Sequence, residues 1–379
     1  MIGAAIANKL RQRPFRRASS NGPQPADRVF SAFELWPWFL FYLPLAIQWV
    51  ALAVRHRSLT LPMLANPGMQ AGGLVGESKS EILSQLGREG RKWVAPYTCF
   101  TVGLASGAPA TDLPQALAAL ETAGIEFPFV AKPDIGCRGA GVCVIADPDE
   151  LSRYLADFPR RERIIFQKLI DLDGEAGIFY VRAPGTDRGR IVSVTLKFFP
   201  KVVGDGRATL EQLVMADNRA RRLKDVYLRR HAAQWDRVLA PGEVFPLVFA
   251  GNHCRGAVFR DGNAHITAAM EERFESIARG MPEFYFGRFD VRYASLDDLK
   301  RGENFVLIEV NGAGSEATHI WDRNTRLRDA YKALFEQQRM LFEFGAANRA
   351  RGFSAIRLIP CLRLWLRQFW LTRSYRESS

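Results

Sequence analysis

The chain has 379 residues, 47% of them hydrophobic, and a formal charge of +12. That apolar content can build a substantial core and excludes wholesale disorder, while the length suits two or three domains or subdomains. The positive excess fits an acidic partner, whether nucleic acid, anionic lipid or a phosphorylated ligand. The cysteines (Cys99, Cys137, Cys143, Cys254 and Cys361) are odd in number and scattered without a CxxC, so they indicate neither a zinc site nor a disulfide framework. This usage suits a reducing, cytosol-facing protein.

Residues 1–34 form a basic, loop-like arm with Arg11, Arg13, Arg16 and Arg17. Leu35 to Val54 then runs twenty residues without a charge. As one helix it would reach about 30 Å, enough to cross a bilayer. Pro37, Pro44 and Gln48 argue against a plain span, and Arg55 and Arg57 make the far flank basic too, so positive charge gives no orientation. A broken, re-entrant or interfacial segment on the cytoplasmic side fits best. A buried core helix is the plain alternative, and the basic region is too long for an ordinary signal peptide. Residues 59–79 follow as a loop rich in Pro and Gly.

The sequence "SKSEILSQLGREG" predicts a helix capped by Ser78 or Ser80 and ended by Gly87 and Gly90. A strand, "VAPYTCFTV", and a helix ending at Gly124 come next. From 127 the pattern turns to short strands: "FPFVAKP", "GAGVCVI", "RIIFQKLI", "AGIFYVRA" and "RIVSVTLKFF". Residues 209–235 read as charged helix, "FPLVFAGNHCRGAVFRD" as further strands, and "HITAAMEERFESIARGM" as helix. "YFGRFDVRY" and "NFVLIEVN" form a strand pair joined by a polar turn, and a helix covers about 325–345. The C-terminal "FSAIRLIPCLRLWLRQFWLTRSYR" predicts a basic aromatic helix, with Arg363 and Arg367 one turn apart, suited either to a headgroup layer or to docking on the protein itself. No repeat is present. This order predicts an α+β enzyme rather than a doubly wound sheet.

Three stretches carry chemistry. In "VAKPDIGCRGAGV" a strand delivers Lys132 to a loop holding Gly136, Gly139 and Gly141, whose backbone can approach a phosphate closely; without GK[ST] or a following helix it is not a Walker motif, and a plain glycine-rich hairpin looks the same. In "RIIFQKLIDLDGEAG" the run Gln167, Lys168, Leu169 and Ile170 can offer backbone to an adenine edge, with Glu175 placed for ribose hydroxyls; an ordinary hairpin is the alternative. Last, Glu309 and Asn311 are two apart and share a strand face, and Asp290 can sit beside them if the strands pair antiparallel. Buried acids brought together repel, and a hard cation such as Mg²⁺ resolves that cost.

Order and spacing together resemble the ATP-grasp superfamily, and most nearly its D-alanine–D-alanine ligase and cyanophycin-synthetase-like branches, over about residues 76 to 345. "GRFDV" and "LIEVNGAGS" resemble the metal-binding strands of that group, and "KVVGDGRATLEQLV" a segment of the cyanophycin-synthetase and glutamate-ligase branch. The resemblance implies an ATP-grasp fold of two α+β subdomains gripping ATP. It implies phosphate contacts from Lys79 and Lys132, a lid from Gly136 to Gly141, adenine contacts from Gln167 to Ile170 and ribose contacts from Glu175. Asp290, Glu309 and Asn311 would hold one or two Mg²⁺, with Mn²⁺ an alternative, and Arg288 would stabilise charge on the reacting intermediate. Lys197, Lys201 and Arg207 are further phosphate candidates, and His253, Arg255 and His319 acceptor candidates. Gln167 departs from the Glu common in these ligases, and Cys137 and Arg138 are unusual in a phosphate loop.

The expected domains are a basic arm (1–34), a hydrophobic segment and loop (35–75), a small subdomain (76–190), a large subdomain with the metal site (191–345) and a C-terminal helix (346–379). The implied reaction is ATP-dependent joining of a carboxylate and an amine, with small-molecule or lipid-linked substrates, at the cytoplasmic face of the cell membrane. A peripheral or monotopic attachment to an anionic surface is expected, and a homo-oligomer is compatible with it. A phosphotransferase and a non-catalytic membrane adaptor are the alternatives. Nucleic acid is not expected, since no RNP, KH or helix-turn-helix pattern is present.

Overall fold

The computed structural model describes residues 30–103, 112–249, 251 and 256–376. His253 and Arg255 lie outside the described residues.

The fold is built on two antiparallel sheets, joined where Lys132 of the smaller one donates to Ile308 O on the edge of the larger. The smaller has the order β1-β4-β2-β3, built from β1 (Tyr97–Thr101), β2 (Phe129–Pro133), β3 (Cys143–Ile145) and β4 (Arg163–Lys168). Its apolar face, with Phe100, Phe129 and Phe166, packs on helices α4 (Asp112–Thr122) and α5 (Pro148–Asp157). The larger has the order β11-β10-β5-β6-β9, from β5 (Gly174–Val181), β6 (Arg190–Phe198), β9 (Val258–Asp261), β10 (Phe286–Tyr293) and β11 (Phe305–Asn311). Alternation puts Ala176, Ile178, Phe289, Val291 and Leu307 in one core with α8 (Ala268–Arg279), whose Met270, Phe274 and Ile277 recur at helical spacing. Thr267 caps that helix by accepting from Met270 N. A two-stranded ribbon, β7 (Lys201–Val203) with β8 (Val244–Pro246), adjoins α6 (Leu210–Ala216) and α7 (Lys224–His231). The fold is thus mixed helix and antiparallel sheet, as the order of elements predicts. β5 belongs to the larger sheet although it precedes residue 190.

Four local expectations change. The helix expected from Ser78 splits into α2 (Lys79–Ser84), capped by Ser78, and a single turn α3 (Arg88–Arg91), because residues 85–87 leave the helix at Gly87. The stretch 148–157 is a helix that strand-like neighbours conceal: Asp147 caps it by accepting from Glu150 N, and Leu151, Tyr154 and Leu155 face the core. The polar turn between β10 and β11 contains a helix, α9 (Leu296–Arg301), capped by Ser295 and closed by Gly302 at φ 69°. Pro44 does not interrupt its segment, which is one helix, α1 (Trp38–His56).

One side of α1 belongs to the protein. Phe41 and Leu45 pack with Ala330, Ala333 and Leu334 of α10 (Leu327–Ala350). Gln48 donates to Phe335 O at 3.1 Å, Tyr331 donates to Phe41 O at 3.0 Å, and Trp49 meets Phe342 edge-on. These contacts offset the hydrogen bond that Pro44 removes. The other side exposes Phe39, Leu40, Leu43, Ile47, Val50 and Val54. By length and composition alone, α1 is the one helix among the described residues that could cross a membrane. The C-terminal helix, α11 (Leu358–Ser374), follows α10 after a short loop.

Candidate functional site

The polar face of the larger sheet forms one wall. β10 alternates Arg288, Asp290 and Arg292 outward against Phe289 and Val291 inward. Register then sets the neighbours: Asp290 lies opposite Glu309, Arg288 opposite Asn311, Arg292 opposite Glu175, and Glu175 opposite Lys197. Asp290, Glu309 and Asn311 are thus neighbours across the β10–β11 pair, with Asn311 turning its Nδ2 donor rather than an oxygen toward Asp290. Gly177, opposite Asp290, leaves room: a Cβ there would stand 2.9 Å from Arg288 Cδ and 3.1 Å from Asp290 Oδ1.

Asp290 is held on all sides. Arg288 grips it bidentately, Nε to Oδ1 at 2.8 Å and Nη2 to Oδ2 at 3.0 Å. Lys197 Nζ lies 3.2 Å from Oδ1 and Asn311 Nδ2 donates to Oδ2 at 3.3 Å. Burial alone would raise this carboxyl, but Arg288 and Lys197 outweigh it and keep the group below the usual range. Lys197 also meets Glu175 Oε1 at 3.0 Å, and Arg292 takes Glu175 Oε2 at 3.1 Å. Glu175 is buried, with both oxygens engaged.

The second wall comes from the smaller sheet and α2. Lys132, on β2, is buried and donates to Gln167 Oε1 at 2.9 Å and across the gap to Ile308 O of β11 at 2.8 Å. Burial lowers its pKa to about 8 against the pull of Glu309. Lys79 donates to Gly136 O at 2.7 Å and lies 3.7 Å from Glu309 Oε1. Lys79, Lys132, Lys197, Arg288 and Arg292 are interleaved with the carboxylates Glu77, Glu175, Asp290 and Glu309, and Asp134 and Glu316 act on Lys132 and Arg288 from beside them, so the region is closely charge-balanced.

The glycine-rich stretch is the connection of the β2–β3 hairpin. Gly139 and Gly141 take φ of 70° and 71°, a region that favours glycine, and a Cβ at Gly141 would clash with Pro133. Gln167 Nε2 is buried without a hydrogen-bond partner beside Lys132, an orphaned donor where an adenine contact is expected. The Lys168 N–H already goes to Pro96 O, so Lys168 could offer an incoming base its carbonyl. Leu169 and Ile170 lie in the link from β4 to β5, the crossing between the sheets.

The oxygen set suits a hard cation in part. Among the described residues, no group of three His, Cys, Asp or Glu is arranged to hold a metal. Both Asp290 oxygens are engaged by cationic side chains, whereas Glu309, partly exposed, meets Lys79 only at long range. A cation bound here would rest first on Glu309 and share Asp290 with Arg288 and Lys197.

Sequence reading missed two members. Glu77 lies against Gly73, its Oε2 is buried without a partner, and burial with repulsion from Glu309 raises it to about 7 against the pull of Lys79. Its only signal was an acid two residues before Lys79. Arg292 was signalled by the period-two spacing Arg288, Asp290, Arg292. Other candidates sit elsewhere. Arg207 is exposed, bonded through its N–H to Asp205. His319 is buried, with Nδ1 2.7 Å from Ser193 Oγ. Lys201 lines a cavity of about 390 Å³ with Phe198, Phe199, Arg219 and Arg260. That cavity adjoins the site through Phe199, whose ring carries Arg292 at 5.0 Å.

No protein-family model matches the chain, and no curated protein matches it. Among solved structures it is similar to a bifunctional glutathione synthetase from Pasteurella multocida, at 15% identity and a TM-score of 0.33 over 70% of this chain and 38% of that one. It is also similar to the VanG D-Ala:D-Ser ligase from Enterococcus faecalis, at 13% identity and a TM-score of 0.37 over 70% and 64%. The chain spans less than two thirds of either structure.

Proposed function

We propose that the chain is an ATP-dependent carboxylate–amine ligase of the ATP-grasp type, working through an acyl phosphate at a cytoplasmic membrane face. The observation that carries this reading is the pair of lysines facing the acid-bearing strand: Lys132 reaches Ile308 O, and Lys79 bridges Gly136 O toward Glu309. A polyphosphate placed between the walls would take over these lysines, while the backbone of Gly136 to Gly141 closes on it. Gln167, with its orphaned Nε2, and the link Lys168 to Ile170 would receive the base, and Glu175 would receive the sugar by exchanging Lys197 or Arg292 for a ribose hydroxyl. Asp290, Glu309 and Asn311 would hold Mg²⁺, which when bound neutralises charge on the transferring phosphoryl group. Arg288, already oriented by Asp290 and by donation to Glu316 O at 3.1 Å, would stabilise negative charge on the attacked carboxyl carbon's oxygens. The cavity beside Phe199 is the place for the acceptor. The membrane part rests on the uncharged outer face of α1.

Calorimetry of Mg-ATP with the detergent-solubilised protein, wild type beside Glu309→Gln, tests the reading. Metal-dependent binding weakened by the variant is the expected result. No binding by a well-folded wild type would reject it. In a subsequent screen, ligation yields ADP, phosphate and an amide, whereas phosphate left on the acceptor would redirect the assignment to phosphotransfer.

A further inference from the structure

The C-terminal helix α11 has two unlike sides. Ile359, Leu362, Trp365, Leu366, Phe369 and Trp370 are exposed, and at 100° per residue they fall on one side of the helix. Arg363 and Arg367 follow along its edge. The opposite side is attached to the protein. Cys361 is buried with Met63 and Ala71, and Gln368 Oε1 accepts from Gly76 N at 2.8 Å. Arg367 binds both Glu162 oxygens, at 3.0 and 2.9 Å.

The chain then passes directly over the glycine-rich loop. Tyr375 donates to Ile135 O at 2.7 Å, and its ring stacks on Phe158 at 5.3 Å between centroids. A Cβ on Gly136 would stand 3.3 Å from the Tyr375 ring, and one on Gly141 3.1 Å from Tyr375 Cβ. The side chain therefore lies against both ends of the loop. Arg376 reaches Asp157 at 3.7 Å and secures the end.

Charge selects what covers the outer side. α11 and its N-cap carry Arg357, Arg363, Arg367 and Arg373 and no acid, and of these only Arg367 is paired with a carboxylate among the described residues, Glu162. A second copy bringing the same face would set arginine against arginine. An anionic bilayer accepts tryptophans at headgroup depth and arginines reaching out beside them.

We propose that the outer face of α11 docks on an anionic lipid bilayer, and that Tyr375 carries this attachment to the glycine-rich loop, holding residues 135–142 in place. The lipid contact rests on the membrane-face reading above; the strap over the loop requires no ligase activity. Lipid binding would order α11, and through Tyr375 it would order the loop that closes the smaller sheet's side of the site.

The test uses the full chain, without nucleotide, mixed with vesicles of phosphatidylcholine alone or with phosphatidylglycerol. Sedimentation reads binding and amide hydrogen exchange reads the loop. The wild type should pellet more completely with the anionic vesicles than with phosphatidylcholine, where α1 alone contributes, and Trp365→Ser/Trp370→Ser should lose that difference. Exchange at 135–142 should slow about tenfold on binding in the wild type and not in Tyr375→Ala. If Tyr375→Ala loses its cooperative melting transition, Tyr375→Phe replaces it, removing the bond to Ile135 O alone. Equal pelleting of the wild type with both kinds of vesicle, an undiminished preference for phosphatidylglycerol in the double variant, or a dimer burying the tryptophans would overturn the lipid contact. Vesicle binding with unchanged loop exchange would overturn the strap. A parallel ATP titration separates the two readings: coupling without ATP binding rejects the ligase and leaves the strap, and the reverse rejects the strap alone.

Discussion

Replacing Glu77 by Gln should stabilise the protein above neutral pH and hardly change it in acid. Glu77 is an acid whose folded pKa, about 7, lies above its ordinary value of 4.5. The folded state therefore binds more protons than the unfolded chain between those limits, and this group's contribution to stability falls as pH rises through that window. Above pH 7 both states are ionised and the whole penalty is present. A gap of about 2.5 units corresponds to about 3 kcal/mol, an upper figure because local relaxation relieves part of it. Glutamine keeps an oxygen for the Gly312 N–H and removes the charge that desolvation and Glu309 disfavour. Urea unfolding of both proteins in EDTA at pH 5.0 and 8.5 measures this. The variant should gain about 1–3 kcal/mol relative to wild type on going from the lower to the higher pH. An equal difference at the two pH values would refute the assignment of a neutralised, buried Glu77.

Asp290→Ala removes the shared partner of Arg288 and Lys197 and should cost about 3–5 kcal/mol in urea unfolding, whereas Glu309→Gln should cost under about 1 kcal/mol. Equal costs would contradict the picture of one enclosed and one accessible carboxylate. Gly177→Ala should destabilise by about 1–3 kcal/mol and weaken Mg-ATP binding, because its Cβ displaces Arg288 or Asp290; unchanged calorimetry and melting would show that the strand yields freely. Lys132, lowered to about 8, should make Mg-ATP affinity decline as pH rises through that value, since the ammonium is lost. The Lys132→Met profile should lack this limb, and a limb that persists belongs to another group.

The alternation in "GRFDVRY" and "FVLIEVN" made the larger wall legible, because period two assigns faces before any partner is known. Lys132 with its glycines was legible for the same local reason. The counter-ions were not: Lys197 meets Glu175 and Asp290 only through the order in which β6, β5 and β10 pair, which no local pattern states. Helix 148–157 was hidden because ten residues hold only three core positions. Glu77 sits in a loop whose sequence carries no period, and its role depends on the approach of the 311–315 turn. Pro44 misled because its cost is local while the contacts of α1 with α10 are distant in sequence.

β10 serves the core and the site at once, since Phe289 and Val291 anchor one face and Arg288, Asp290 and Arg292 furnish the other. A shift of any of these charged groups would drag aromatic packing with it, so this wall is mechanically stiff. The glycine connection of the smaller sheet is held differently, by side chains that donate to its backbone carbonyls: Lys79 to Gly136 O, Tyr154 to Gly141 O and Tyr375 to Ile135 O. A ligand drawn between the walls is therefore expected to find its reference geometry on β10, with adjustment confined to the connection and the few side-chain bonds that hold it.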